Sequence, residues 1–305
     1  MTRIRAMSYN VRYDNRNDHH DAWYARAAGV LNLVRFHHPD VVGFQEPLPG
    51  QRRDLSDGLP EYEFVGRGRR VDDKGEGCPV AVRRDRWTIV DDGTFWLSET
   101  PAEPSVGWDA AHPRIATWAR LERRNDRSDE PSVSDRLDRS VVFVNTHLDH
   151  QGTRSRTEAA RLLRRRSSDL RTSDDDRVGE NDWGDAAVVF VGDLNATAGS
   201  PPHRVLTGDV PEGDATAADP GDTETAADAA SERYEPLVDA AATADVRHGP
   251  TTSITDFSQL IAERRIDHVL VSADVEVEAF ATLADRDERG RYPSDHLPVL
   301  ARLRP

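Results

Sequence analysis

Acidic, amide and imidazole residues recur at the ends of apolar runs along this chain. Ser8-Tyr9-Asn10 closes the first run and Gly43-Phe44-Gln45-Glu46 the second. Further on come Asn145-Thr146-His147-Leu148-Asp149-His150, and then Gly192-Asp193-Leu194-Asn195 after the apolar Ala187 to Val191. Arg265-Ile266-Asp267-His268 and Ser294-Asp295-His296-Leu297-Pro298 complete the series. Carboxylates and amides without cysteine are hard oxygen donors, suited to Mg²⁺ or Mn²⁺ rather than to zinc. Residues two apart in an extended chain share a face, so Asp193 and Asn195 can meet one pocket, as can Asn145 and His147. Glu46 ends a buried strand, where a carboxylate has little purpose unless it meets a cation or water. The histidines add groups that hold a phosphate oxygen or move a proton near neutral pH.

Each piece alone has a plain structural explanation. An acidic residue at a strand end is ordinarily the polar start of a loop, and Gly-Asp-Leu-Asn is also a natural turn. Order and co-occurrence argue otherwise, because every motif appears once, in sequence, at the end of a predicted strand. His19-His20 and His37-His38 lack matching partners and are assigned to surface or core. Arg164-Arg165-Arg166, Arg69-Arg70 and Arg83-Arg84 are assigned to solvated faces.

The elements that must position these groups are mostly strands. Ile4 to Val11, Asp40 to Gln45, Cys78 to Val82, Trp87 to Val90, Ile115 to Leu121, Val141 to His147, Ala187 to Val191, Ile266 to Val271 and Leu297 to Leu303 have the pattern. Helices are predicted near Ala25 to Phe36 and over Thr153 to Leu170, where Ala159, Leu162, Leu163 and Leu170 form an apolar stripe. Many strands with few intervening helices point to an α+β sandwich. Residues 123–140, 172–185 and 208–233 are poor in apolar side chains and read as mobile insertions. No repeat or linker divides the chain, so a single domain over residues 1–305 is expected.

Composition narrows the partners. Cys78 is the only cysteine, which excludes an intrachain disulfide and a cysteine metal cluster. No apolar run approaches the ~20 residues of a membrane span, and the first residues read as a strand rather than a secretory signal, so the cytoplasm is the expected location. The net charge of −15 argues against a broad basic track for nucleic acid. Lys74 is the sole lysine, whereas arginine and the acids are plentiful. That balance suggests a salt-rich cell interior, where hydrated carboxylates maintain solubility. GC-rich codon usage explains the missing lysine but not the excess acid.

Together the motifs resemble the endonuclease/exonuclease/phosphatase superfamily, whose fold is DNase I-like, over the span from Asn10 to Pro298. Phe95-Trp96-Leu97-Ser98-Glu99-Thr100-Pro101, Gly107-Trp108-Asp109-Ala110-Ala111, Pro113-Arg114-Ile115 and Asn145 to His150 are similar to a prokaryotic branch described as metal-dependent hydrolases. The resemblance implies a four-layer α/β/β/α sandwich with the site in a cleft at one end. It implies Glu46 as the principal metal ligand, with Asn10 beside it and Asp295 completing the metal site, for Mg²⁺ or Mn²⁺. It implies Asp193 and Asn195 holding the attacking water and phosphate, His296 oriented by Asp267, and His147 on another phosphate oxygen. Arg114, Asn145 and Asp149 fall to substrate binding, and Glu99 to positioning a histidine. The expected reaction is in-line attack by water on a phosphoester, with Asp193 the preferred base and the His296–Asp267 pair the competing one. A phosphorylated small molecule or lipid headgroup is the favoured substrate. An endo- or exonuclease acting on DNA or RNA is the competing reading, and a non-catalytic phosphate-binding protein a more distant one. No obligate protein partner is evident.

Overall fold

A computed structural model describes residues 3–124, 140–171, 186–209 and 234–305. The three expected insertions therefore lie, apart from their ends, outside the described residues.

The first strand, β1 (Ile4–Asn10), pairs in parallel with β2 (Val41–Gln45) and antiparallel with β13 (Val299–Arg304). With β3 (Tyr62–Val65), β4 (Val80–Arg83), β10 (Val246–His248) and β12 (Glu276–Thr282) they form a seven-stranded sheet, ordered β10-β12-β13-β1-β2-β4-β3. The second sheet has six strands: β5 (Trp87–Trp96), β6 (Ile115–Arg123), β7 (Ser140–His147), β8 (Ala187–Asp193), β9 (Val238–Asp239) and β11 (Asp267–Val271). Their order is β5-β6-β7-β8-β11-β9.

Alternation along the strands builds the layers. Ile4, Ala6 and Val41 of the first sheet meet Val141, Phe143, Val189, Val191, Val269 and Val271 of the second in a central core. The intervening residues face outward. Met7, Tyr9, Val42 and Phe44 pack on α1 (Trp23–His37) and α2 (Pro49–Gly58) through Val30, Leu33, Val34 and Leu55. Val142, Val144 and Phe190 pack on α3 (Thr153–Arg171) and α4 (Pro201–Thr207) through Ala159, Leu162, Leu163 and Leu206. Strands covered on both faces read as continuous apolar runs, which is why these were visible in the sequence. The result is the expected α+β sandwich of helix, sheet, sheet and helix. No helix among the described residues is long and apolar enough to cross a membrane.

The structure corrects three arginine assignments. Arg69, Arg83 and Arg164 are buried rather than solvated. Arg69 forms a two-pronged ion pair with Glu76 at 2.8 and 2.9 Å, and Arg83 lies 3.5 Å from buried Asp40. Arg164 donates to the carbonyl of Val205 at 3.2 Å, tying α3 to α4. A long cationic side chain can sit in an interior when carboxylates or carbonyls receive its donors.

Candidate active site

Four strands end on inward-facing polar residues at the same rim of the sandwich. Counting by twos from the central core, β1 reaches Asn10, β7 reaches His147, β8 reaches Asp193 and β11 begins at Asp267. Strand register sets the last three side by side, with His147 opposite Asp193 and Asp193 opposite Asp267. Gly192 is needed there, because a Cβ on it would stand 2.3 Å from the carbonyl oxygen of Thr146 on β7.

Glu46 follows the inward-facing Gln45 and would point toward the helices if the strand simply continued. Its φ of 72° turns the side chain back to the rim, a left-handed conformation that costs a non-glycine residue energy and recurs at functional sites. Asn10 Nδ2 then bridges the two sheets, donating to Glu46 Oε1 at 2.9 Å and to Asp193 Oδ2 at 3.0 Å. The Tyr13 N–H donates to Glu46 Oε2 at 3.0 Å.

The imidazoles are held in opposite states. Asn195 Nδ2 donates to the Leu148 carbonyl at 2.9 Å, which fixes the amide's orientation, and to His147 Nε2 at 3.0 Å. His147 Nε2 is therefore an acceptor. Burial, reinforced by Arg114 and His296, keeps the pKa of His147 well below the imidazole norm. His296 Nδ1 lies 2.9 Å from Asp267 Oδ2, and its Nε2 lies 3.7 Å from Asp193 Oδ2. Burial opposes charge on His296, but Asp267 and then Asp193 outweigh it and raise the pKa well above the norm. Burial pushes the Asp193 carboxyl up to about 7; His296 opposes the rise and Asp267 adds to it.

The donor set fits a divalent cation. Glu46, His147 and Asp193 each offer a ligand atom, all within 4.8 Å of one another. His147 Nε2 and Asp193 Oδ2 face each other at 3.4 Å, although the nitrogen presents a lone pair and not a proton. Each of these acceptors already takes one N–H, His147 Nε2 from Asn195 and both carboxylates from Asn10, so the fit to a cation rests on the carboxylate oxygens, which keep further lone pairs. Oxygen predominates, as Mg²⁺ or Mn²⁺ requires. Asp295 stands further out, 3.5 Å from Arg12 Nη1, and burial raises its pKa, with His296 opposing and Glu46 adding.

Several sequence assignments change. Asn145 is fully buried, with Nδ2 donating to the carbonyls of Phe44 and Pro79 at 2.8 and 3.0 Å and Oδ1 accepting from Gln45 at 2.7 Å. It shares the inward face with His147 but lies two residues deeper, so it pins one sheet to the other and has no donor for substrate. Asp149 accepts the N–H groups of Gln151 and Gly152 at 3.0 and 2.8 Å and Arg114 Nε at 3.2 Å. Burial opposes its charge, yet these donors hold its pKa far below the carboxylate norm. Glu99 accepts from the Trp108 N–H at 3.2 and 3.3 Å rather than from a histidine.

Arg12 and Arg26 were missed. Arg12, with φ 55°, spans Asp18 at 3.2 Å and Asp295 at 3.5 Å at the edge of the site. Its place two residues after Asn10 was the available signal. Arg26, on α1, is buried and donates to the carbonyls of Val11, Arg12, Asp21 and Pro293. It ties the segment after Asn10 to the one before Asp295, and nothing local marks it.

Comparison with known proteins places this arrangement in context. A family model described as "Endonuclease/Exonuclease/phosphatase family" matches residues 7–296. A protein of that description from Bacteroides vulgatus superposes with a TM-score of 0.77 at 31% identity, covering 99% of each chain. The mannosyl-6-phosphatase Bt3783 of Bacteroides thetaiotaomicron superposes with a TM-score of 0.79 at 28% identity, covering 98% of this chain and 99% of its own. The TDP2 of D. rerio, at 18% identity and a TM-score of 0.63, covering 99% of each chain, shares the fold. No curated protein sequence matches.

Proposed function

The chain belongs to the endonuclease/exonuclease/phosphatase family and is a phosphoric ester hydrolase, and on that premise we propose that it uses Mg²⁺ or Mn²⁺ to hydrolyse a phosphorylated small molecule or lipid headgroup. The observation that carries this reading is the convergence of Glu46, Asp193 and His147 within 4.8 Å, bridged by Asn10. Glu46 and Asn10 would hold the ion, with Asp295 beyond them. When bound, the cation supplies Lewis-acid polarisation of the phosphoryl oxygen and charge stabilisation at the leaving oxygen.

The protein's own groups divide the remaining work. Asp193, kept in place by Asn10 and by the Asn195 N–H at 2.8 Å, accepts the proton of the attacking water. Asn195 orients that water. His296, charged and oriented through Nδ1 by Asp267, places its Nε2 proton on a phosphoryl oxygen as charge builds there. Arg114, its guanidinium held by Asp149, would contact the substrate. A mannosyl-6-phosphatase at 28% identity supports a small phosphoester. A nuclease would need a track of unmatched cations, whereas Arg69 and Arg114 are each matched by a carboxylate, Glu76 and Asp149.

The test is a panel of phosphate mono- and diesters and of single- and double-stranded nucleic acid, assayed at high potassium chloride with Mg²⁺, Mn²⁺ or chelator. Turnover of small esters that chelator abolishes supports the reading. Preference for nucleic acid, or full activity in chelator, overturns it.

A further inference from the structure

Beside the catalytic groups lies a second cluster, in which Arg114 is joined by two histidines that the hydrolytic chemistry does not use. The amino end of β6 and the carboxyl ends of β7 and β8 share one rim, which sets Arg114 two strands from Asp193, about 10 Å away at the usual strand spacing. Arg114 is buried, with Nε on Asp149 at 3.2 Å and Nη2 on His150 Nδ1 at 3.0 Å. Its Nη1 has no hydrogen-bond partner among the described residues. The rings of His112 and His150 lie nearly parallel, 26° apart, with centroids 6.0 Å from each other. His150 is exposed and His112 half-buried.

Charge decides what this cluster suits. Arg114 is matched by Asp149, and Arg69 by Glu76 at 2.8 Å. A guanidinium only donates, so His150 Nδ1 must present its lone pair to Arg114. Burial and then Arg69 and Arg114 lower the pKa of His112, which favours its neutral form. A second phosphate or carboxylate would meet no uncompensated cation here. Hydroxyl groups, which both donate and accept, suit a fixed guanidinium edge and two neutral imidazoles.

We infer that His112, Arg114 and His150 form a recognition subsite for a neutral polyhydroxylated group, such as a sugar ring, attached to the phosphate that the neighbouring groups hydrolyse. This rests on the hydrolase reading above, and its test separates the two. The full-length chain with Mg²⁺ is assayed on a hexose 6-phosphate, a hexose 1,6-bisphosphate, a nucleoside monophosphate and phenyl phosphate. The wild type should favour the hexose 6-phosphate by kcat/KM. In His112→Ala and in His150→Ala the ratio of hexose 6-phosphate to phenyl phosphate should fall about tenfold, the size of one hydrogen bond to a fixed polar group. The loss should lie mainly in KM. A purely structural role would depress both substrates together and leave the ratio intact. An intact ratio in both variants, or wild-type preference for the bisphosphate, the nucleotide or phenyl phosphate, overturns the subsite. Failure to hydrolyse any of the four esters overturns the hydrolase reading, and the subsite with it.

Discussion

Asp267 Oδ2 lies 2.9 Å from His296 Nδ1 and leaves the ring's other nitrogen directed at Asp193. The carboxylate is fully buried at the start of β11, so it can fix both the tautomer and the charge of the ring. Asp267→Asn keeps the shape but removes the charge that raises the pKa of His296. We expect kcat on a small phosphoester to fall about 10²–10³-fold, with far-ultraviolet circular dichroism unchanged. Turnover within threefold of wild type would show that the pair is not needed.

Glu46→Gln addresses the cation. The amide fits the left-handed position but carries no charge, and its single oxygen can serve only one of the two donors, Asn10 and Tyr13, that the carboxylate receives on separate oxygens. The Mg²⁺ concentration giving half-maximal rate should rise at least about tenfold, the scale on which ligand-shell changes act. A titration curve superimposable on wild type would remove Glu46 from the metal site.

Asp239 gives a prediction in pH. His203 Nε2 lies 3.0 Å from it, Arg265 Nη2 2.6 Å and His268 Nδ1 3.8 Å. Burial opposes the charge, but these three partners hold its pKa far below the carboxylate norm. A group depressed in the folded chain stabilises it fully above the unfolded value, about 4, and loses that contribution as pH falls toward the folded value. The melting-temperature gap between wild type and Asp239→Asn should therefore narrow as pH falls below about 4. A gap as wide at pH 3 as at pH 7 would contradict the sign.

The acidic, nearly lysine-free composition leads to a fourth prediction. With a net charge of −15, self-repulsion is relieved by added salt. The melting temperature should rise as potassium chloride goes from 0.1 to 2 M, and structure should be lost in dilute buffer. A melting temperature independent of salt would leave codon usage as the better account of the missing lysine.

How much of this could be read from the chain follows from which forces are local. Asp193, Asp267 and His147 were legible because period-two alternation and an abrupt polar ending are written in consecutive residues. Asn145 has the same face and a similar context, but depth within a sandwich is set by how far the opposite sheet extends, and no local pattern records that. The direction of Glu46 depends on one left-handed φ, and the reach of Arg26 on carbonyls from two separate segments. α2 (Pro49–Gly58) was overlooked because few of its residues are apolar, and β12 (Glu276–Thr282) because charged side chains share its edge of the sheet. The expected roles of Arg69, Arg83 and Arg164 failed for a related reason: adjacent arginines look alike in sequence, whichever of them has a partner waiting.

The bridge from Asn10 to both Glu46 and Asp193 makes the reactive centre a seam, with part of its chemistry riding on each slab of the molecule. Neither slab holds a competent half. A loosened state that preserved every strand while the two layers drifted apart by an ångström or two would look folded by backbone spectroscopy and be inert. Turnover is thus a gauge of interlayer fit, more exacting than any count of residual strand.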